Sequence, residues 1–216
     1  MTTTTLRPDQ PPTPRRLAHR PVERGYVVPW FVAQVDGRYD FRIMDYAKLR
    51  EAIVLKRCWL CGQPLGGYKA FVIGPMCAIN RTIGDPPSHR ECAEWAIRAC
   101  PFLSQREKRR NAANLPDGAA LSEFGIARQP GATCLWVTKS YRVSKVGDTV
   151  LFDLGDPVAV EWFYQARTAT RAEVLASIDS GYPFLMELAE QDGPAAVAEL
   201  EAAREKAMAL LPKGDE

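Results

Sequence analysis

Histidine is nearly missing from this chain, which has only His19 and His89 among 216 residues. Chemistry that needs a group of imidazoles has nothing to draw on. No run of about 18 apolar residues occurs, so no segment reads as a membrane-spanning helix. The first residues lack the apolar stretch of an export signal. No Gly-x-Ser-x-Gly, Walker-type loop or dinucleotide fingerprint is present. The glycine-rich stretch from Gly62 to Gly67 contains Pro64 and lacks the lysine of a phosphate loop.

The composition is otherwise that of a globular protein, 46% hydrophobic and 25% charged. A chain of this length buries a substantial core of its own. Six cysteines without an export signal lead us to expect a reducing compartment, the cytoplasm, where spaced cysteines read as metal ligands or buried thiols before disulfides. The net charge of +2 hides an asymmetry. Residues 1–110 carry 19 Lys/Arg against 10 Asp/Glu, and residues 111–216 carry 9 against 16. A basic half and an acidic half predict a polyanionic or acidic partner for the first, or contact between the two.

Three portions follow from the pattern. Residues 1–22, rich in Thr, Pro and Arg, read as a flexible basic tail. Residues 23–115 form a cysteine-bearing portion. It begins with two strands around Asp36-Gly37 and a helix capped by Asp45 that runs to about Lys56. Residues 68–81 read as two short strands about Gly74-Pro75. Ser88 and Glu91 match a capping box for a helix that Cys100-Pro101 stops. Residues 116–216 form an acidic β-then-α portion. Its strands lie at 134–146 and 149–155 around Gly147-Asp148, with another at 158–164. A Thr170/Glu173 capping box opens a helix ending before Gly181, and residues 184–191 and 195–211 are helical. Leu200, Ala203, Ala207 and Leu210 share a face that covers the core or forms a dimer seam. The fold class is α+β.

The strongest signal is Cys58-x2-Cys61-Gly62, a 27-residue gap, then His89-x2-Cys92. Zinc takes four soft or borderline donors in a tetrahedron, and these four supply them. A Cys-x2-Cys turn lets two thiolates converge, with Gly62 suited to the tight knuckle. His89 and Cys92, three apart in the first helical turn, share a face, and a helix N-terminus favours thiolate. The competing reading is a set of buried thiols. It leaves unexplained why one of two histidines stands in register with Cys92. Cys77 is an alternative to His89 as ligand. Cys100 lies roughly 12 Å beyond Cys92 along a helix, too far to share the ion. Cys100 and Cys134 read as core thiols, and Trp95 as packing under the metal site.

Knuckle, hairpin, then a helix carrying the second ligand pair resembles a treble-clef zinc finger over about residues 56–100. The stretches CWLCGQPLG, FVIGPMCAIN and PSHRECAEWA, followed by CPFL, also resemble proteins of actinobacteria and their phages that carry no assigned activity. The resemblance implies a zinc-bound core and is compatible with a phage accessory role. Treble clefs also underlie HNH-type endonucleases, which place a histidine on the hairpin. Here that hairpin offers Asn80 and no histidine. A zinc deaminase presents H-x-E before P-C-x-x-C, the reverse of the order in this chain. Four protein ligands leave no open coordination position, so the site reads as structural.

Arg106, Lys108, Arg109 and Arg110 cluster just after the proposed zinc helix, with Arg90 and Arg98 upstream on it. A basic cluster beside a rigid element is what phosphate neutralisation requires. Trp59, Tyr68 and Trp95 are close enough in sequence to stack on bases. The plainer reading is a solvated helix face with core aromatics. The sequence therefore leads us to expect a non-enzymatic zinc protein that binds nucleic acid or a nucleic-acid-associated protein. An adaptor with no nucleic-acid role is the alternative, and a divergent HNH-type nuclease the second.

Overall fold

The computed structural model describes residues 5–105 and 131–214. Residues 106–130, which include Arg106, Lys108, Arg109 and Arg110, lie outside the described residues.

The described part of the expected tail is packed against the body. After a turn in which the Gln10 amide donates to the Arg7 carbonyl at 3.1 Å, residues 11–14 lead to a 3-10 turn at Arg15–Leu17, where Leu17 is 1% exposed. The expectation of a flexible segment overlooked that one leucine and a few backbone carbonyls suffice as anchors when proline has already restricted the chain. Strands β1 (Val22–Glu23) and β2 (Tyr26–Val27) form a two-rung hairpin. Strands β3 (Val32–Val35) and β4 (Arg38–Met44) pair around Asp36 and Gly37, both at positive φ (49° and 76°), as a two-residue Asp-Gly turn requires. Asp45 then caps α1 (Tyr46–Val54), its carboxylate accepting from the amides of Ala47 and Lys48.

Residues 68–81 depart from the predicted hairpin. β5 (Lys69–Ile73) forms, but the stretch after Gly74 is a short helix, α2 (Pro75–Asn80). Pro75 occupies the first helical turn, where its fixed φ suits a helix and its missing N–H costs nothing. Pro75, Ala78 and Ile79 are buried on one side, and Arg81 ends the helix at φ 56°. The two-residue β6 (Thr82–Ile83) follows, then α3 (Arg90–Ala99) and α4 (Pro101–Ser104). Pro101 opens α4 where it was expected only to stop α3.

The remaining strands are β7 (Thr133–Thr138), β8 (Tyr141–Val146), β9 (Thr149–Leu154), β10 (Pro157–Tyr164) and β11 (Arg167–Thr168). The partner of β5 is β7, about sixty residues away, and the antiparallel order is β11-β10-β7-β5. A second sheet runs β6-β9-β8, its hairpin closed by the predicted Gly147-Asp148 turn. Both sheets therefore combine strands from the cysteine-bearing half with strands from the acidic half.

Every residue of β7 is buried. Leu135 and Val137 pack with Ala93 and Ile97 of α3, whereas Cys134 and Trp136 face the larger core with Phe71, Ile79, Phe152, Trp162 and Ile178. The strand alternates as pleating demands but is covered on both faces, so its sequence shows a continuous apolar run. The larger core is closed by α5 (Arg171–Asp192) and α6 (Pro194–Met208).

The Thr170/Glu173 capping box is present at the start of α5. The helix does not end at Gly181, however, and continues through Pro183 to Gly193. Gly181 lies so close to Met76 of α2 that a Cβ there would stand 3.1 Å from the Met76 side chain. The glycine thus permits a close helix approach inside α5. Among the described residues no helix is long and apolar enough to cross a membrane.

Candidate metal centre

Four side chains converge where the turn after α1 meets the start of α3. The donor atoms of Cys58, Cys61, His89 and Cys92 all lie within 4.8 Å of one another and are buried. A tetrahedron with metal–sulfur bonds of about 2.3 Å has edges of about 3.8 Å, so the cluster has the size a metal ion needs.

The turn is built by local backbone bonds. The Cys58 amide donates to the Gln63 carbonyl at 2.8 Å and the Gly62 amide to the Cys58 carbonyl at 2.9 Å. Gly62 adopts φ 77°, and a Cβ there would meet the Trp30 indole at 2.7 Å, so both conformation and space require glycine. The amides of Cys61 and His89 point at Cys58 Sγ at 3.5 and 3.4 Å. These contacts stabilise negative charge on that sulfur.

On the other side, the N-cap of α3 is His89 rather than Ser88. The predicted capping box is absent because Ser88 is committed elsewhere, its backbone pairing with Ala70 in both directions at 2.9 and 2.7 Å. Glu91 is free to bind Arg16 at 2.6 Å. The Trp59 amide donates to the Pro87 carbonyl at 3.1 Å, stitching the turn to the residues before α3. His89 Nδ1 faces Cys61 Sγ at 3.4 Å, while Nε2 lies 3.0 Å from the Pro64 carbonyl. A carbonyl only accepts, so Nε2 carries a proton, and Nδ1 on the sulfur side is the nitrogen that can give a lone pair to a metal once its own proton is displaced.

Electrostatics agree with a cation site. Burial opposes ionisation of Cys58, but hydrogen bonds from Cys61, Cys92 and His89 outweigh it and hold the thiol well below the ordinary range. Hydrogen bonds to Cys58 and Cys61 push His89 up to about 10 against opposing burial. The same two sulfurs, followed by burial, raise Cys92. Without a metal these groups share protons around a negative centre, an arrangement in which a divalent ion could replace those protons.

The remaining cysteines stand apart from the cluster. Burial pushes the Cys77 thiol up to about 11, and Cys134 is raised by complete burial in β7. Neither belongs to the donor group, and nor does Cys100. No cysteine is in a disulfide.

The described arginines expected to touch nucleic acid are engaged inside the molecule. Arg90 pairs with Glu161 of β10. Arg98 bonds Glu94 at 3.2 Å and the Ala166 carbonyl at 3.0 Å, over the Phe163 ring. Together with Arg81–Asp156 at 2.7 Å, these contacts join the basic half to the acidic half. Trp59 is stacked on Phe31 at 4.8 Å, and Trp95 is buried with its Nε1 donating to the Pro11 carbonyl. Tyr68 is exposed, with Lys139 over its ring. Asn80 accepts from the Thr82 amide at 3.1 Å, forming the turn after α2, apart from the cluster.

Sequence reasoning missed the residues around the ligands, namely Pro64, Arg16 and Trp30. His19, which the sequence places in the tail, lies 3.1 Å from the Cys61 carbonyl through Nε2. No protein-family model, curated protein or solved structure matches the chain.

Proposed function

We propose that the chain is a non-enzymatic zinc protein of the adaptor type, in which one structural Zn²⁺ is held by Cys58, Cys61, His89 and Cys92. The observation that carries this reading is the buried three-sulfur, one-nitrogen donor group with its imidazole already oriented by the Pro64 carbonyl. Such a donor set is selective for zinc over the harder divalent ions, and four protein ligands leave no position for a substrate. The treble-clef resemblance rests on the knuckle and the helix, since the stretch between them is a strand followed by α2. Metal analysis of the purified protein tests the zinc assignment, with Cys58→Ser as the variant that loses the ion.

A second reading keeps nucleic acid, or a protein bound to it, as the partner. It now depends on Arg106, Lys108, Arg109 and Arg110, because Arg90 and Arg98 have partners within the protein. Binding that weakens steeply with salt and falls in an Arg109→Ala/Arg110→Ala variant supports this reading, and no binding at low salt removes it. Mg²⁺-dependent cleavage lost on Asn80→Ala would instead favour the nuclease.

A further inference from the structure

The two ligand pairs come from separate elements, the turn at 58–63 and the start of α3. A third segment, residues 10–28, touches both. Against α3, Trp95 Nε1 donates to the Pro11 carbonyl and Gln10 Nε2 to the Ala99 carbonyl, each at 3.3 Å. Against the turn, His19 Nε2 reaches the Cys61 carbonyl. Arg16 spans the gap, its Nε bonding Glu91 of α3 at 2.6 Å and its Nη1 bonding Gln63 of the turn at 3.0 Å. Leu17 and Val27 complete the contact from within the apolar cluster that contains Cys58, Cys61, Cys92 and Trp95.

We propose that residues 10–28 form a strap belonging to the metal centre, holding the two halves of the ligand set in register, while bound Zn²⁺ in turn holds the strap down. The inference rests on the zinc reading above. None of the strap residues donates to the metal. Arg16 and His19 act as positioning residues, fixing the turn and the helix at the separation that four donors need. Loss of such outer-shell support costs metal affinity even when every ligand is intact. Because the two equilibria are linked, whatever the strap adds to metal affinity the metal adds to strap docking.

The test uses the full chain and Zn²⁺ alone. Zinc affinity is measured by competition with a chromophoric chelator for wild type, Arg16→Ala/His19→Ala, and two controls. Arg15→Ala changes a neighbouring exposed strap residue, and Thr170→Ala destabilises the protein far from the site. The double variant is expected to lose about 10- to 100-fold in affinity while both controls stay within about two-fold. In parallel, trypsin should cut wild type at Arg15 and Arg16 only after the metal is chelated, ahead of Arg204 and Lys206. If the double variant does not fold, Arg16→Gln read by the rate of zinc release replaces it, with faster release expected. A stoichiometric zinc protein whose affinity and release are indifferent to these changes, or whose strap stays equally protected without metal, overturns the strap alone. A wild type that takes up no Zn²⁺ overturns the zinc reading and the strap with it.

Discussion

The imidazole of His89 is held between Cys61 and Pro64, with Nδ1 on the sulfur side and Nε2 on the carbonyl of Pro64 at 3.0 Å. The Pro64 acceptor lies on the same turn as two of the ligands, so closing the turn and orienting the imidazole are one event. The expected outcome is a zinc-loaded protein in which His89 is neutral and protonated at Nε2 alone. Heteronuclear NMR of the ring nitrogens reads this directly, and a proton on Nδ1 would exclude the ligand role. His89→Ala, which leaves three thiolates and an open position, should lose about ten-fold or more in zinc affinity by chelator competition.

Gly62→Ala should damage the same centre without touching a ligand. The left-handed backbone costs about 1–2 kcal/mol for a residue with a Cβ, and that Cβ would stand 2.7 Å from the Trp30 ring. Thermal melting should shift down and zinc should dissociate faster. Gly66→Ala, where a Cβ meets nothing within 4 Å, serves as the neutral comparison.

How much of this was legible follows from which interactions are local. Cys58-x2-Cys61-Gly62, the Asp36-Gly37 turn, the Asp45 cap and the Thr170/Glu173 box are each decided within a few residues, and each appears where the sequence places it. Ser88 and Gly181 were misread because distant partners decide them. Ser88 spends its backbone on Ala70, and Gly181 makes room for Met76. The same holds for the segment after Gly74. It turns helical once β5 finds its partner in β7 and its apolar residues can pack beneath α5 and α6. The contacts of Arg16 and His19 across 75 and 42 residues have no sequence signature at all.

Trp136 is the largest fully buried side chain, and its Nε1 donates to the Gly155 carbonyl at 3.1 Å. It stands where β7 meets the larger core. Trp136→Ala should cost about 3–5 kcal/mol, as large aromatic deletions do. Urea unfolding of the zinc-loaded protein measures it. A loss below about 1 kcal/mol would contradict the packing of β7 between two helical layers.

The start of α5 carries a pH dependence of defined sign. Glu173 is held at about 2 instead of 4.5, first by hydrogen bonding to Arg167, against some burial, and then by the Thr170 amide. A folded value below the unfolded one means the contribution is fully present above about pH 4.5. It is then lost as pH falls toward 2. The difference in melting temperature between wild type and Glu173→Gln should therefore shrink across that window. Thr170→Ala should cost about 1 kcal/mol at neutral pH.

Arg90 is set apart from both partner readings by its ion pair within the protein. Its pair with Glu161 is solvent-accessible on both sides, with side chains 53% and 37% exposed, so Arg90→Ala should change stability by no more than about 1 kcal/mol. Under the nucleic-acid reading it is Arg109→Ala/Arg110→Ala that lowers the salt dependence of binding, by about two phosphate contacts. The adaptor reading predicts no such effect.

The most direct measurement of the central claim is metal content per chain in wild type and in Cys58→Ser/Cys61→Ser, with the thiols titrated before and after chelation. The account predicts one zinc ion per wild-type chain, essentially none in the variant, and three thiols that become reactive together when the ion is removed. A folded wild type that carries no metal under zinc-replete conditions, with Cys58, Cys61 and Cys92 equally protected before and after chelation, would contradict it.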